Sequence, residues 1–168
     1  MKITAQEEYG LRCLLQLAQA EAKRGLTVKE IASLEGLSPA YVEKLLRLLG
    51  KAGLIHSVRG TKGGYLLDRT PEEISLGSVV GALGKIPTTD EICNRYTGNR
   101  TSCIHIDECC IRSALETLTF TLRNFLERTF LSDLIGSEAG ARRTLGQRMI
   151  PVHASFLHNK NIQDPHSK

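Results

Sequence analysis

Four of the five cysteines in this chain lie in one polar segment, CNRYTGNRTSCIHIDECC, residues 93–110. The segment also contains His105. In a reducing compartment, clustered cysteines bind metal or do redox chemistry more often than they form structural disulfides. Thiolates hold iron–sulfur clusters, and cysteine combined with histidine is a common donor set for zinc. The segment therefore predicts a metal or thiol centre.

Three chemistries are open for this centre. The first is an iron–sulfur cluster, and the second is a metal-free thiol–disulfide switch. The third is structural zinc, although the spacing C-x9-C-x-H-x3-C lacks the close cysteine pairs of zinc knuckles. Cys110 adjoins Cys109, and adjacent side chains at a helix start diverge by about 100°, so both rarely reach one metal. The candidate zinc ligands are Cys93, Cys103, His105 and Cys109.

Composition limits the class of protein. With 168 residues, 41% of them hydrophobic, the chain has room for one ordinary domain or a small domain with an appendage. No apolar run approaches the length of a membrane span. The N-terminal MKITAQEEYG has acids where a signal peptide has an apolar core, so we expect a cytoplasmic protein. We find no Ser–His–Asp set, phosphate loop or paired catalytic carboxylates, and we predict no catalytic residues.

The elements before the cysteine segment follow a recognisable order. Thr4, Thr27 and Ser38 each stand where a capping residue opens a helix, and apolar residues recur at helical spacing after each of them. Two short apolar runs, at 54–58 and 65–67, then flank a Gly-rich turn, as in a β-hairpin. Helix, tight turn, helix and hairpin is the order of a winged helix-turn-helix. We predict a mainly α fold with a small β-hairpin wing.

Charge in this region indicates DNA binding. Residues 38–64 contain five basic residues and one acid, a net +4, which suits a surface that neutralises phosphates. Glu43 on the helix from Ser38 could accept a hydrogen bond from cytosine in the major groove. Arg59, on the glycine-rich wing, could enter a narrow minor groove. A generic helical bundle with a surface loop is the alternative. The predicted DNA contacts are Ser38, Ala40, Tyr41, Glu43, Lys44, Arg47, Arg59, Gly60, Thr61, Lys62 and Gly64.

Two further segments follow the cysteines. Apolar residues at alternating steps of four and three predict one long helix, to about residue 130, with an apolar seam. Residues 136–168 have no sustained period, and we expect a mobile basic tail. Cys13, separate from the cluster, is predicted to be a buried small hydrophobe. The seam residues are Ile111, Leu115, Leu118, Leu122 and Phe125.

The segments MKITAQEEYGLRCLLQLA and VKEIASLEGLSPAYVEKLLRLLGKAGLIHSVRGTKGGYLL, followed by the cysteine loop, resemble the Rrf family of winged-helix transcriptional regulators, of the IscR, NsrR, RirA and CymR type. The resemblance covers about residues 1–135. It implies a homodimer formed by two long helices, whose winged domains read a pseudo-palindromic double-stranded DNA operator. In many members, three cysteines of the loop bind an iron–sulfur cluster, and the fourth ligand is not cysteine. In some members the partner subunit's first helix supplies it.

The resemblance implies a ligand set here. Cys93, Cys103 and Cys109 match the three cysteines in order, and Glu8 matches a first-helix carboxylate ligand, with His105 and Cys110 as alternative fourth ligands. An acid in the first turn of a helix is also favoured by the helix dipole alone. The gap of nine residues between the first two cysteines is longer than the five in cluster-biogenesis members. Those members also carry histidine at the position of Arg112. We expect a 2Fe–2S cluster in preference to 4Fe–4S.

These inferences combine into one expected function. We expect a sequence-specific DNA-binding regulator, a repressor, that senses iron–sulfur status, redox state or nitric oxide through its cluster. A cluster-free regulator of the same fold with a thiol or zinc switch is the alternative, and a small Fe–S redox carrier is a third possibility. The expected organisation is a winged helix-turn-helix domain at 1–84, a cysteine-rich cluster-binding loop at 85–108, a dimerisation helix region at 109–135 and a tail at 136–168.

Overall fold

The computed structural model describes residues 3–20, 24–60, 63–106 and 108–149. Thr61 and Lys62 of the predicted wing tip, and residues 150–168 of the predicted tail, lie outside the described residues. The helices and strands, in chain order, are α1 (Ala5–Gln19), α2 (Val28–Glu35), α3 (Pro39–Lys51), β1 (Ile55–Val58), β2 (Gly64–Leu67), α4 (Leu76–Leu83), α5 (Thr89–Arg95), α6 (Cys110–Glu127) and α7 (Glu138–Met149), with short 3-10 helices at Pro71–Glu73 and Leu131–Leu134.

The predicted helix starts are confirmed. The Thr4 hydroxyl accepts from the backbone N–H of Glu7, and the Glu7 carboxylate accepts from the backbone N–H of Thr4, so both helix-terminal donors are satisfied. Thr27 and Glu30 repeat this reciprocal pair at α2, and the backbone N–H of Thr27 lowers the pKa of Glu30. Gly36 ends α2 in the left-handed conformation, at φ 66°.

The core lies between α1, α2, α3 and α4 and is closed by the start of β1 and by the second 3-10 helix. Cys13 is fully buried in it, as predicted, and burial raises the pKa of its thiol to about 11. The largest fully buried side chains include Leu14, Ile31, Leu45, Leu46, Leu49, Leu54, Ile74 and Leu131.

The wing is an antiparallel hairpin that is tied to the segment before α2. Its register pairs Ile55 with Leu67 and ends with Val58 opposite Gly64. Leu26 extends the pairing, because its N–H donates to the Tyr65 carbonyl at 3.2 Å and its carbonyl accepts from the Tyr65 N–H at 2.9 Å. The root of the wing is therefore held by the same segment that leads into α2.

Two segments contain helices that periodicity did not predict. The predicted cysteine loop includes α5, which begins with a reciprocal capping pair between Thr88 and Glu91. The predicted tail includes α7, which packs against the second 3-10 helix. The Thr88-x-x-Glu91 spacing is a sequence signal for α5. Helix α7 lacks a clear apolar stripe, so helical periodicity gives no signal for it. In the described part of the chain, no helix is long and apolar enough to cross a membrane.

Candidate DNA-binding surface and cysteine centre

Helix α3 divides into a buried face and an exposed face. Its buried residues, including Val42 and Leu46, follow helical spacing and pack into the core. The opposite face carries five of the predicted DNA contacts, and the structure exposes all five: Ser38, Ala40, Glu43, Lys44 and Arg47. The core therefore orients this surface, which carries two basic residues and one acid, outward from the second helix of a helix-turn-helix.

Tyr41, another predicted DNA contact, is half-buried and has partners within the protein. Its ring packs edge-on against the Tyr9 ring of α1, with 6.1 Å between centroids and an interplanar angle of 86°. The Lys44 Nζ lies 5.9 Å from the Tyr41 ring centroid, within cation–π range. Tyr41 therefore links the exposed face of α3 to α1, a role that the sequence did not predict.

The end of α2 is also fixed to α1. The Arg12 Nε donates to the Glu35 carboxylate at 2.5 Å, its Nη2 donates to the Glu35 carbonyl at 3.2 Å, and the Gln16 amide donates to the same carboxylate at 2.7 Å. The Glu35 side chain is only 6% exposed, and its hydrogen bond raises the pKa of Arg12. Sequence reasoning missed these residues because the partners are 23 and 19 positions apart and form no local motif.

The wing presents Arg59 and Gly60 to solvent at the end of β1. Gly64, predicted as a DNA contact, is half-buried instead, and a Cβ there would lie 2.8 Å from the Leu26 carbonyl oxygen. The close approach that requires glycine at this position is thus to the protein's own backbone. Thr61 and Lys62, between Gly60 and Gly64, are among the residues not described.

The cysteine centre is distributed over two helices and the chain between them. Cys93 lies on α5, Cys109 precedes the first residue of α6 and Cys103 lies between these helices. All three are half-buried, Cys110 is exposed, and all five cysteines of the chain are free thiols. Among the residues that the structure describes, no three His, Cys, Asp or Glu side chains lie close enough together to hold one metal ion.

Two hydrogen bonds to the loop backbone come from α6. The Arg112 Nη2 donates to the Ile106 carbonyl at 3.0 Å, just before Cys109. The Arg123 Nη2 donates to the Ile86 carbonyl at 2.7 Å, at the other end of the loop. Arg112, which stands where the resemblance would suggest a histidine, thus hydrogen bonds to the loop backbone.

The candidate fourth ligands are accessible. Glu8 is 49% exposed and makes an ion pair with Arg12 at 3.5 Å, one turn along α1. His105 is exposed within the loop. Neither lies in a group of metal-binding side chains in the described chain. An exposed ion pair of this kind contributes little to stability, so Glu8 can leave Arg12 at small cost.

Helix α6 exposes the predicted seam. Across Cys110–Glu127, all of which the structure describes, no side chain is buried. Ile111 is 68% exposed and Leu118 57% exposed, while the other seam residues are half-buried. A regular apolar stripe that one subunit leaves uncovered is typical of a helix that packs on a partner.

A helix with an exposed polar face, placed after a tight turn and before a two-stranded wing, defines the class of winged helix-turn-helix DNA-binding regulators. Residues 3–137 match the profile of the Rrf2 family, described as iron-dependent transcriptional regulators, and the chain belongs to this family. The predicted family and fold class are therefore confirmed.

Relatives and solved structures agree with this assignment. The chain is 37% identical over 115 residues to the protein rrf2 of Nitratidesulfovibrio vulgaris, which covers 68% of this chain and 69% of that one. It is 35% identical over 141 residues to the regulator NsrR of Halalkalibacterium halodurans, covering 82% and 92%. Its fold is similar to CymR, the global cysteine regulator of B. subtilis, with a TM-score of 0.66, 29% identity and coverage of 80% and 95%. T. potens IscR gives a TM-score of 0.64 at 29% identity, covering 80% and 86%.

Proposed function

We propose that this regulator is a cytoplasmic, sequence-specific repressor whose affinity for its operator depends on an iron–sulfur cluster. Cys93, Cys103 and Cys109 would hold the cluster, 2Fe–2S in preference to 4Fe–4S, and Glu8 would be the fourth ligand. The observation that carries this proposal is the position of the three free thiols between the winged domain and α6. The family's description as iron-dependent supports it.

The donor set fits this cofactor. Thiolates are the ligands that iron–sulfur clusters require, and a carboxylate or imidazole in place of one of them changes the reduction potential and leaves a more exchangeable position. Because the described donors are not gathered at one point, ligand binding would have to order the segment between α5 and α6. When bound, the cluster would supply a group that reacts with oxidants or nitric oxide.

A homodimer would complete the arrangement. The exposed seam of α6 would pack on the same seam of a second copy, which places two α3 helices on one pseudo-palindromic duplex. In such a dimer Glu8 would be the fourth ligand to the cluster held by the partner's cysteines, since Glu8 joins no group of metal-binding side chains within the described part of one subunit. Ordering of the loop would then determine how the two winged domains are held. A hundredfold change in operator affinity needs only about 2.7 kcal/mol of coupling.

The test is anaerobic purification followed by a visible spectrum with iron and acid-labile sulfide analysis. We expect absorption bands and equal iron and sulfide in the wild-type protein, their loss in Cys103→Ala, and their retention in the matched control Cys13→Ala. Full iron and colour in Cys103→Ala would refute the ligand set. Zinc without sulfide, or a reversible disulfide without metal, would support the cluster-free regulator instead.

A redox carrier with the same cysteines is distinguished by DNA binding. A regulator should bind a selected duplex with an affinity that falls steeply as salt rises, because phosphate contacts release counterions. Binding no stronger than to random duplex at every salt concentration would favour the carrier.

A further inference from the structure

The C-terminal end of α6 is joined to the start of α4 by an antiparallel bridge. The Leu76 N–H donates to the Thr129 carbonyl at 2.7 Å, and the Leu131 N–H donates to the Ile74 carbonyl at 2.9 Å. Ile74, Thr129 and Leu131 are fully buried. Because a buried backbone group left unpaired costs about as much as a lost hydrogen bond, these four residues form a firmly held junction, the α4–α6 corner.

Thr129 also binds the end of α6 itself. Its hydroxyl donates to the carbonyl of Phe125, a residue of the α6 seam, at 2.7 Å. The last carbonyls of a helix have no partner within the helix, and this bond satisfies one of them. A single buried residue thus holds α6 through its side chain and the start of α4 through its backbone carbonyl.

The Glu127 carboxylate makes a second link across the same corner. It lies in the last turn of α6 and accepts from the Ser75 hydroxyl at 3.3 Å. It occupies the space that a Cβ at Gly77 would need. Because Ser75 caps α4, the carboxylate stands at the N-terminal end of that helix, where the helix dipole favours negative charge.

Beyond the corner, α4 and α6 are less closely packed. They leave between them an open cleft of about 440 Å³, whose walls include Val80, Gly81 and Leu126. Side-chain packing along the two helices therefore leaves their angle loosely defined, and the corner has to fix it. Since α4 packs against both α1 and α3 in the core, this angle also relates the seam of α6 to the whole winged domain.

We infer that Thr129 is a positioning residue that determines which half-site spacing the dimer accepts, by holding α6 at one angle to the winged domain, with Glu127 in support. The inference rests on the proposed homodimer and its pseudo-palindromic operator, and it assigns the joint between the surface that pairs the subunits and the domain that reads DNA. A change of angle at this joint moves one α3 relative to the other and leaves each α3 unaltered. Thr129 is fully buried, so it acts through the corner and not by contact with DNA.

The test compares Thr129→Val, which removes the hydroxyl and keeps the shape, with wild type. The duplexes carry half-sites selected by the wild-type protein, at the selected spacing or with one or two base pairs added or removed. One base pair changes the separation by about 3.4 Å and rotates one half-site by about 35°. Wild type should prefer one spacing, and in Thr129→Val the ratio of affinities between that spacing and its neighbours should fall about fivefold, the scale of one hydrogen bond.

Two further measurements separate the joint from a general loss of structure. Affinity for a duplex with a single half-site should match wild type within about twofold, because α3 is unaltered, and sedimentation should show the same dimer. An unchanged spacing ratio would overturn the inference. A weakened dimer, or an equal loss of affinity for single and paired half-sites, would overturn it too, because either would explain the result without a change of angle.

Thr117→Val is the matched control. The Thr117 hydroxyl also donates to a carbonyl four residues earlier in α6, that of Ser113, at 2.8 Å, but it is exposed and distant from the corner. Thr117→Val should keep the wild-type spacing preference, and Thr129→Ser, which retains the hydroxyl, should restore it. Glu127→Ala alters an exposed residue and carries the test, with the same expected loss, if Thr129→Val fails to fold.

Failure of this inference can be told from failure of the proposed function. If wild type binds its selected half-sites equally well at every spacing, the proposed dimer on a pseudo-palindromic operator fails, and the inference fails with it. If wild type prefers one spacing and both Thr129→Val and Glu127→Ala prefer it as sharply, only the role of the corner is refuted.

Discussion

Replacing Leu118 by Asp tests whether the seam of α6 is the dimer interface. Leu118 is 57% exposed in one subunit, and full burial of a leucine side chain is worth about 1.5–3 kcal/mol. Burying the exposed part would thus contribute about 0.9–1.7 kcal/mol in each subunit, or about 2–3 kcal/mol for the two copies in a symmetric dimer. Since 1.4 kcal/mol is a factor of ten, the dimer dissociation constant should rise at least ~25- to 150-fold.

The assay is sedimentation equilibrium over a concentration series for wild type, Leu118→Asp and Thr117→Asp. Thr117 is the control because it is exposed, adjacent in sequence and turned by about 100° around the helix, so it receives the same charge away from the seam. Wild type and Thr117→Asp should dimerise alike. The reasoning is refuted if Leu118→Asp dimerises as tightly as wild type, or if both aspartate variants weaken the dimer equally.

Three other perturbations have expected outcomes. Thr88→Ala removes the hydroxyl that caps α5, so the helix should lose about 1 kcal/mol, seen as faster amide exchange in α5. Hydrogen bonds from Lys85 and from the Thr88 N–H lower the pKa of Glu91. The ionised Glu91 carboxylate therefore stabilises the fold above the ordinary carboxyl pKa, and this stabilisation is lost as pH falls through the lowered pKa. Glu91→Gln should flatten the acid limb of a pH–stability curve. The buried Cys13 thiol has a pKa of about 11. Between about pH 9 and 11 only the thiol of the unfolded protein ionises, so wild type should become less stable as pH rises over this range. Cys13→Ala should abolish that slope in urea titrations.

Gly64 provides a further test, of the wing. A Cβ there would lie 2.8 Å from the Leu26 carbonyl oxygen, so Gly64→Ala should separate the hairpin from the segment before α2 and cost about 1–3 kcal/mol in urea denaturation. Gly60→Ala is a useful comparison, because its Cβ would meet no atom within 4 Å although its φ of 118° also strains an L residue. Equal stability losses in the two variants would show that backbone conformation, and not the contact with Leu26, explains the glycine.

The sequence by itself determined the features that depend on neighbours in the chain. Thr4, Thr27 and Ser38 open their helices because a capping side chain satisfies N–H groups two or three residues away. The helical spacing of apolar residues indicated which face of α3 is buried, and therefore which polar residues are exposed. Local turn and charge signals were enough for the winged helix-turn-helix, since each element's pattern agrees with the others. The Thr88–Glu91 pair was equally readable and marks α5.

Only the tertiary structure decided how these elements are joined. Arg12 meets Glu35, Tyr9 meets Tyr41, and Gly64 meets Leu26 because packing brings together helices and strands that are far apart in sequence, and no local spacing encodes such pairs. Short-range hydrogen bonding and periodicity thus specify the elements, whereas the burial of their apolar faces selects the long-range partners.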